Sequence, residues 1–83
     1  MTDLDKNLAE TWGPAATHSE YSRGDVVRYR ANGVTYTGTI IWIAAPRESQ
    51  VQGHGMLPTR YIVVRQGWSG FPDVVYSSDI LTS

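Results

Sequence analysis

The chain has 83 residues, with seven basic and eight acidic side chains for a net charge of −1, and no cysteine. A chain this size holds one domain and buries only about 60% of the surface its unfolded form exposes, so oligomerisation is an available source of extra stability. The missing cysteines exclude disulfides and thiolate metal sites and make a cytoplasmic protein the simplest expectation.

No apolar run approaches the roughly 20 residues that span a bilayer. Asp3, Asp5 and Lys6 precede any apolar run, unlike a signal peptide, so a soluble chain with no membrane partner is expected. Charge is uneven: residues 1–20 carry Asp3, Asp5, Glu10 and Glu20 against Lys6, whereas residues 21–83 carry six arginines against Asp25, Glu48, Asp73 and Asp79. Arginine suits two-pronged recognition of phosphate or carboxylate. The surplus is nevertheless small beside the basic stripe of a dedicated nucleic-acid binder.

Residues 1–20 read as a tail, disordered or holding one short amphipathic helix. Thr2 and Asp5 have the spacing of a capping box, Leu4, Leu8 and Trp12 fall on one helical stripe, and Gly13-Pro14 stops it. So short a helix persists only if its stripe covers an apolar surface.

From Tyr21 to Ser83 the pattern is β. A strand over 25–30 places Val27 and Tyr29 on one face and Val26, Arg28 and Arg30 on the other. Asn32-Gly33 predicts a two-residue hairpin turn. A longer strand over 34–45 follows, with Val34, Tyr36, Gly38 and Ile40 on one face and three threonines on the other. Its second half, Ile40-Ile41-Trp42-Ile43-Ala44, is apolar on both faces. Gly38 predicts a bulge or sharp bend. Residues 46–59 read as an irregular surface loop with Gly53-His54-Gly55 as its hinge. Strands over 60–65 and 73–76, a 3₁₀ turn at Ser77-Ser78-Asp79 and a closing strand at Ile80-Leu81 complete the set. Five short strands with a 3₁₀ turn before the last describe an all-β, SH3-like barrel.

The strands over 34–45 and 60–65 are apolar on both faces and need a cover, from the helix or from another subunit. One short helix is expected to cover only one of them, which favours a homo-oligomer.

The run GDVVRYRANGVTYTGTIIWI, followed by Tyr61-x-Val63 and DVVYSSDIL, resembles the plasmid-borne, trimethoprim-insensitive type II dihydrofolate reductases. Gly24-Asp25, Val27-Arg28, Gly38-x-Ile40, Tyr76 and Leu81 carry the likeness over residues 21–83. The small domain of nitrile hydratase β subunits shares several of these features. The resemblance implies a homotetramer around one pore that takes NADPH and dihydrofolate. The family's pore strand reads Val-Gln-Ile-Tyr; here it is Asp73-Val74-Val75-Tyr76, with Tyr76 matching, Val75 standing for the Ile and Val74 replacing the Gln. Val74 supplies neither donor nor acceptor. The family's pore-mouth Lys falls on Tyr29 or Arg30.

Conventional catalysis has few candidates. His18 and His54 have no second ligand at metal spacing, and Asp25, Asp73 and Asp79 flank turns where Asp bonds its own backbone. No catalytic residue, metal or cofactor is expected outside the reductase reading. The aromatic set is richer: Tyr36, Trp68, Phe71 and Tyr76, with Arg28, Arg30 and Arg65, are expected to build a groove for a peptide, a small ligand or single-stranded nucleic acid. Trp68, between Gly67 and Ser69 in a turn, is the strongest single contact residue. Three functions follow: a homo-oligomeric binding module, a divergent NADPH-dependent reductase, or a nucleic-acid-binding accessory protein of a mobile element.

Overall fold

The computed structural model describes residues 3–48, 56–68 and 70–82. Helix α1 spans Asp3–Trp12, and the strands are β1 (Val26–Ala31), β2 (Val34–Ala44), β3 (Arg47–Glu48), β4 (Met56–Leu57), β5 (Arg60–Arg65), β6 (Asp73–Tyr76) and β7 (Ile80–Thr82), with a 3₁₀ turn at Ser77–Asp79. The hairpin between β1 and β2 closes with Ala31 opposite Val34. Asn32 and Gly33 sit at φ 53° and 78°, the positive-φ pair whose twist matches that of the strands it joins.

Five strands form one antiparallel sheet in the order β6-β5-β2-β1-β7. It curls into a barrel-like half-shell, so the all-β expectation holds. The concave face buries Val27, Tyr29, Ile40, Ile43, Tyr61, Val63, Val75 and Ile80, and Tyr21 packs edge-on to Tyr61 with ring centroids 5.5 Å apart. Curling carries β6 back towards β1, so that the Tyr29 hydroxyl reaches Asp73 at 2.5 Å.

The bulge lies at Ile41, not at Gly38. Ile40 pairs with Val63 but Trp42 pairs with Ile62, leaving Ile41 as the extra residue. That extra residue reverses the alternation: Ile40 and Ile43 face the barrel core, while Ile41, Trp42 and Ala44 turn to the other side. Gly38 serves a close approach instead. A Cβ there would stand 2.5 Å from the Val64 carbonyl oxygen and 2.7 Å from Val63 Cγ1. Gly38→Ala gains up to about 1 kcal/mol from a stiffer unfolded chain, but the backbone of β5 must move, at about 1–3 kcal/mol. The urea midpoint is expected to fall; a rise would show that β5 yields freely.

Residues 1–20 were expected to form a tail whose helix covers only one of the two-sided strands, and that argument is corrected. Because β2 and β5 are sheet neighbours, one helix lies over both: Leu8, Ala9 and Trp12 pack on Trp42, Ala44 and Ile62. The residues after the helix satisfy the half of β2 that β1 does not reach. Ala16 N–H donates to the Ile43 carbonyl and Ala45 N–H to that of Pro14, both at 2.9 Å, and Ala15 bridges Ala44. The apolar outer side of both strands at Trp42, Ala44 and Ile62 is therefore covered by the chain's own helix, the cover that a second subunit was expected to supply. Thr2 of the capping box lies outside the described residues, as do Gly53, His54 and Gly55. Residues 46–59 are not wholly irregular, since β3 pairs with β4 inside them.

Candidate functional site

At the end of the barrel opposite the helix, the sheet meets the turn that follows β5. Arg65 accepts at its carbonyl from Trp68 N–H at 3.1 Å, and Gly67 takes φ 75°. A side chain with a Cβ is strained there, so Gly67 is what folds Trp68 back beside Arg65. Tyr29, Tyr36, Arg65 and Asp73 share the concave face by strand alternation, with Gly38 opposite Arg65 and Val63 opposite Asp73.

These residues form one interlocked set. Arg65 donates twice to the Asp73 carboxylate, Nε to Oδ2 at 2.7 Å and Nη2 to Oδ1 at 3.1 Å. Tyr29 donates to the same Oδ2. The guanidinium lies 4.0 Å from the Tyr36 ring centroid and 5.3 Å from that of Trp68, within cation–π range of both. Hydrogen bonding from Arg65 holds the Asp73 carboxyl below the usual carboxylate range against an opposing effect of burial. The bond to Asp73 keeps Arg65 firmly cationic. Burial first, then Asp73, pushes the Tyr29 hydroxyl well above its ordinary value.

A groove of about 410 Å³ opens over this set, bounded by Thr35, Tyr36 and Thr37 of β2 and by Arg65, Gln66, Gly67 and Trp68. Trp68 is 51% exposed. Its indole lies against Gly70, where a Cβ would come 2.5 Å from Nε1. The groove thus offers an exposed indole face, two hydroxyls and one amide, with its single arginine already paired.

The sequence-predicted residues divide into four groups. Tyr36, Arg65 and Trp68 come together in the groove. Arg28 and Arg30 are exposed on the convex face of β1, opposite Thr37 and Thr35. Val74 is 42% exposed and Tyr76 half-buried, both on the convex side of β6 at the sheet edge, and Phe71 is almost fully exposed before it. Val75 is a correction: it is 3% exposed, packed in the barrel core opposite Tyr61, and cannot touch a ligand without the core opening. Thr35, Thr37 and Gln66 were missed, although the run of threonines on the wet side of β2 is visible in the sequence. Asp73 was read as a turn residue bonding its own backbone, whereas it locks Arg65.

A larger cleft of about 510 Å³ lies between Leu8 and Ile41. It is the seam on which α1 docks, edged by Arg23, which bonds Asp5 at 3.1 Å and lies 4.9 Å from the Trp42 ring.

Fold and site together define a small barrel-like all-β domain with an arginine-supported aromatic groove. No family model matches the chain, and neither a curated protein nor a solved structure matches it.

Proposed function

We propose that the protein is a binding module that takes its ligand in the groove of Tyr36, Arg65 and Trp68. The observation that carries this reading is the half-exposed indole of Trp68, set within cation–π range of a guanidinium that Asp73 holds in place. An aromatic ring left in water contributes nothing to the core, whereas one held rigid before binding loses little entropy when a ligand covers it. Every member of the groove comes from one chain, so the reading requires no second subunit.

The test is NMR of the ¹⁵N-labelled chain titrated with a library of aromatic and anionic fragments. Amide shifts are expected at Thr35, Thr37, Gln66 and Trp68, and loss of those shifts in Trp68→Ala, whose fold should be kept because the side chain is exposed. Fragments that cluster elsewhere on the surface, or that bind Trp68→Ala equally well, would overturn it.

A further inference from the structure

Beside the groove, on the convex face of the sheet, Arg28 stands opposite Thr37 and Arg30 opposite Thr35. Both arginines are exposed, and among the described residues neither has an ion-pair or hydrogen-bond partner. On the β2 and β5 side the neighbouring convex positions, Val26, Thr39 and Val64, carry no acid; on the β7 side Asp79 precedes Ile80, the partner of Tyr29, but among the described residues it forms no ion pair with either arginine. Asp73 faces the other way and is taken by Arg65. The face therefore holds two free positive charges, although the whole chain is at −1.

From this juxtaposition we infer that the ligand is single-stranded nucleic acid, with a base stacked on Trp68 and successive phosphates on Arg28 and Arg30. The inference rests on the groove reading above and names its ligand. Roles are divided between the arginines. Arg65, neutralised by Asp73, is a support that fixes the platform, while Arg28 and Arg30 are uncompensated and so suited to phosphate.

Two residues apart on a strand, Arg28 and Arg30 are separated by about 6.7 Å along β1, a step suited to successive phosphates of an extended strand. The threonine hydroxyls and the Gln66 amide lie between the charges and the indole, where base edges and sugars would fall. An acidic peptide supplies the charge but no flat ring for the indole, and a duplex keeps its bases stacked on one another. An unpaired strand supplies both an open π-face and regular charge. Two phosphate contacts make this a modest binder, in keeping with the small charge surplus.

The experiment is fluorescence anisotropy of a labelled oligothymidylate of about 12 nucleotides, within the usual site size of such grooves, measured over a series of salt concentrations. For two neutralised phosphates the log–log salt slope should be about −1.4. The double variant Arg28→Gln, Arg30→Gln, altered only at exposed positions, should flatten that slope towards zero. Trp68→Ala should weaken binding about 5- to 150-fold at every salt concentration, as loss of one stacked base does, and leave the slope unchanged.

Absence of binding at low salt, equal binding by the double variant, or equal binding of a duplex of the same length would overturn the inference. So would preference for a polyglutamate of matched charge. If fragments still shift Thr35, Thr37, Gln66 and Trp68 while the oligonucleotide does not bind, the nucleic-acid assignment fails and the groove stands. If neither binds there, both fail.

Discussion

Trp42→Ala is expected to remove a quarter or more of the stability of this domain. Trp42 is 4% exposed and lies at the centre of the layer between the sheet and α1, against Leu8, Ala9, Trp12 and Ile62. Its indole N–H donates to the Gly13 carbonyl at 3.0 Å, at the end of the helix. Truncating a buried aromatic of this size costs about 3–5 kcal/mol, against roughly 4–12 kcal/mol for a whole domain of this length.

The loss should not stay local. A ten-residue helix does not hold itself in water, so without Trp42 beneath it α1 loses both its apolar seat and the N–H donor to the Gly13 carbonyl that follows its last turn. The Arg60 guanidinium, which donates to the Trp12 carbonyl at 2.9 Å, would then lose that partner as the helix lifts. Circular dichroism should show helix signal disappearing with or before the sheet, together with a sharply lowered urea midpoint. Trp42→Phe, which keeps an aromatic ring but loses the N–H donor and part of the ring volume, should fall between the wild type and Trp42→Ala. Near-normal stability of Trp42→Ala would mean that the helix contributes little to holding the fold.

The parts of the fold that were legible in the sequence are those governed by neighbours along the chain. Asn32-Gly33 specifies its turn through the φ values it tolerates, and the alternation of Val34, Tyr36, Gly38 and Ile40 against the threonines specifies which face is wet. The break in alternation at Ile41 left no mark, because Ile40 to Ala44 is apolar throughout and a shifted parity changes no polar position. Gly38 looked like the place for that break, but glycine is also what a close backbone approach demands, and contact with Val64 is a property of the folded sheet.

The same limit applies to the cover over β2 and β5. Two apolar strands far apart in sequence looked like two surfaces; paired side by side, they make one surface that a ten-residue helix spans. In the site, Trp68 drew notice because a tryptophan in a glycine-flanked turn has no core to enter. Val75 did not reveal its burial, since Val74 and Val75 are alike and only the register against Tyr61 decides which points inward. The role of Asp73 needed the curl of the sheet, which sets it between Arg65 on β5 and Tyr29 on β1.

Acid should loosen the groove before it unfolds the rest of the domain, and Asp73 should be the group responsible. Its carboxyl titrates lower in the folded chain than in the unfolded one, chiefly because Arg65 donates to it. A group depressed in this way stabilises the fold fully above the unfolded carboxylate value near 3.9, and that contribution is lost as pH falls through the lower folded value. Protonation removes the anion that anchors Arg65, and with it the support beneath Trp68. Tryptophan emission is therefore expected to change only once pH has fallen below the usual carboxylate range, ahead of the loss of β signal.

Asp73→Asn keeps the shape and an acceptor for Tyr29 but carries no titrating charge. It should be less stable than the wild type at neutral pH, with a flatter acid limb. Asp73→Ala goes further, because the fully buried Tyr29 hydroxyl then has no acceptor, a loss of about 1–3 kcal/mol. The raised Tyr29 hydroxyl gives the opposite arm: its neutral form is favoured in the fold, so stability should fall as pH rises past about 10, and Tyr29→Phe should abolish that dependence. Parallel acid limbs for the wild type and Asp73→Asn would show that some other carboxyl governs the acid response. In that case the pairing of Arg65 with Asp73 would not be what fixes Trp68 in place.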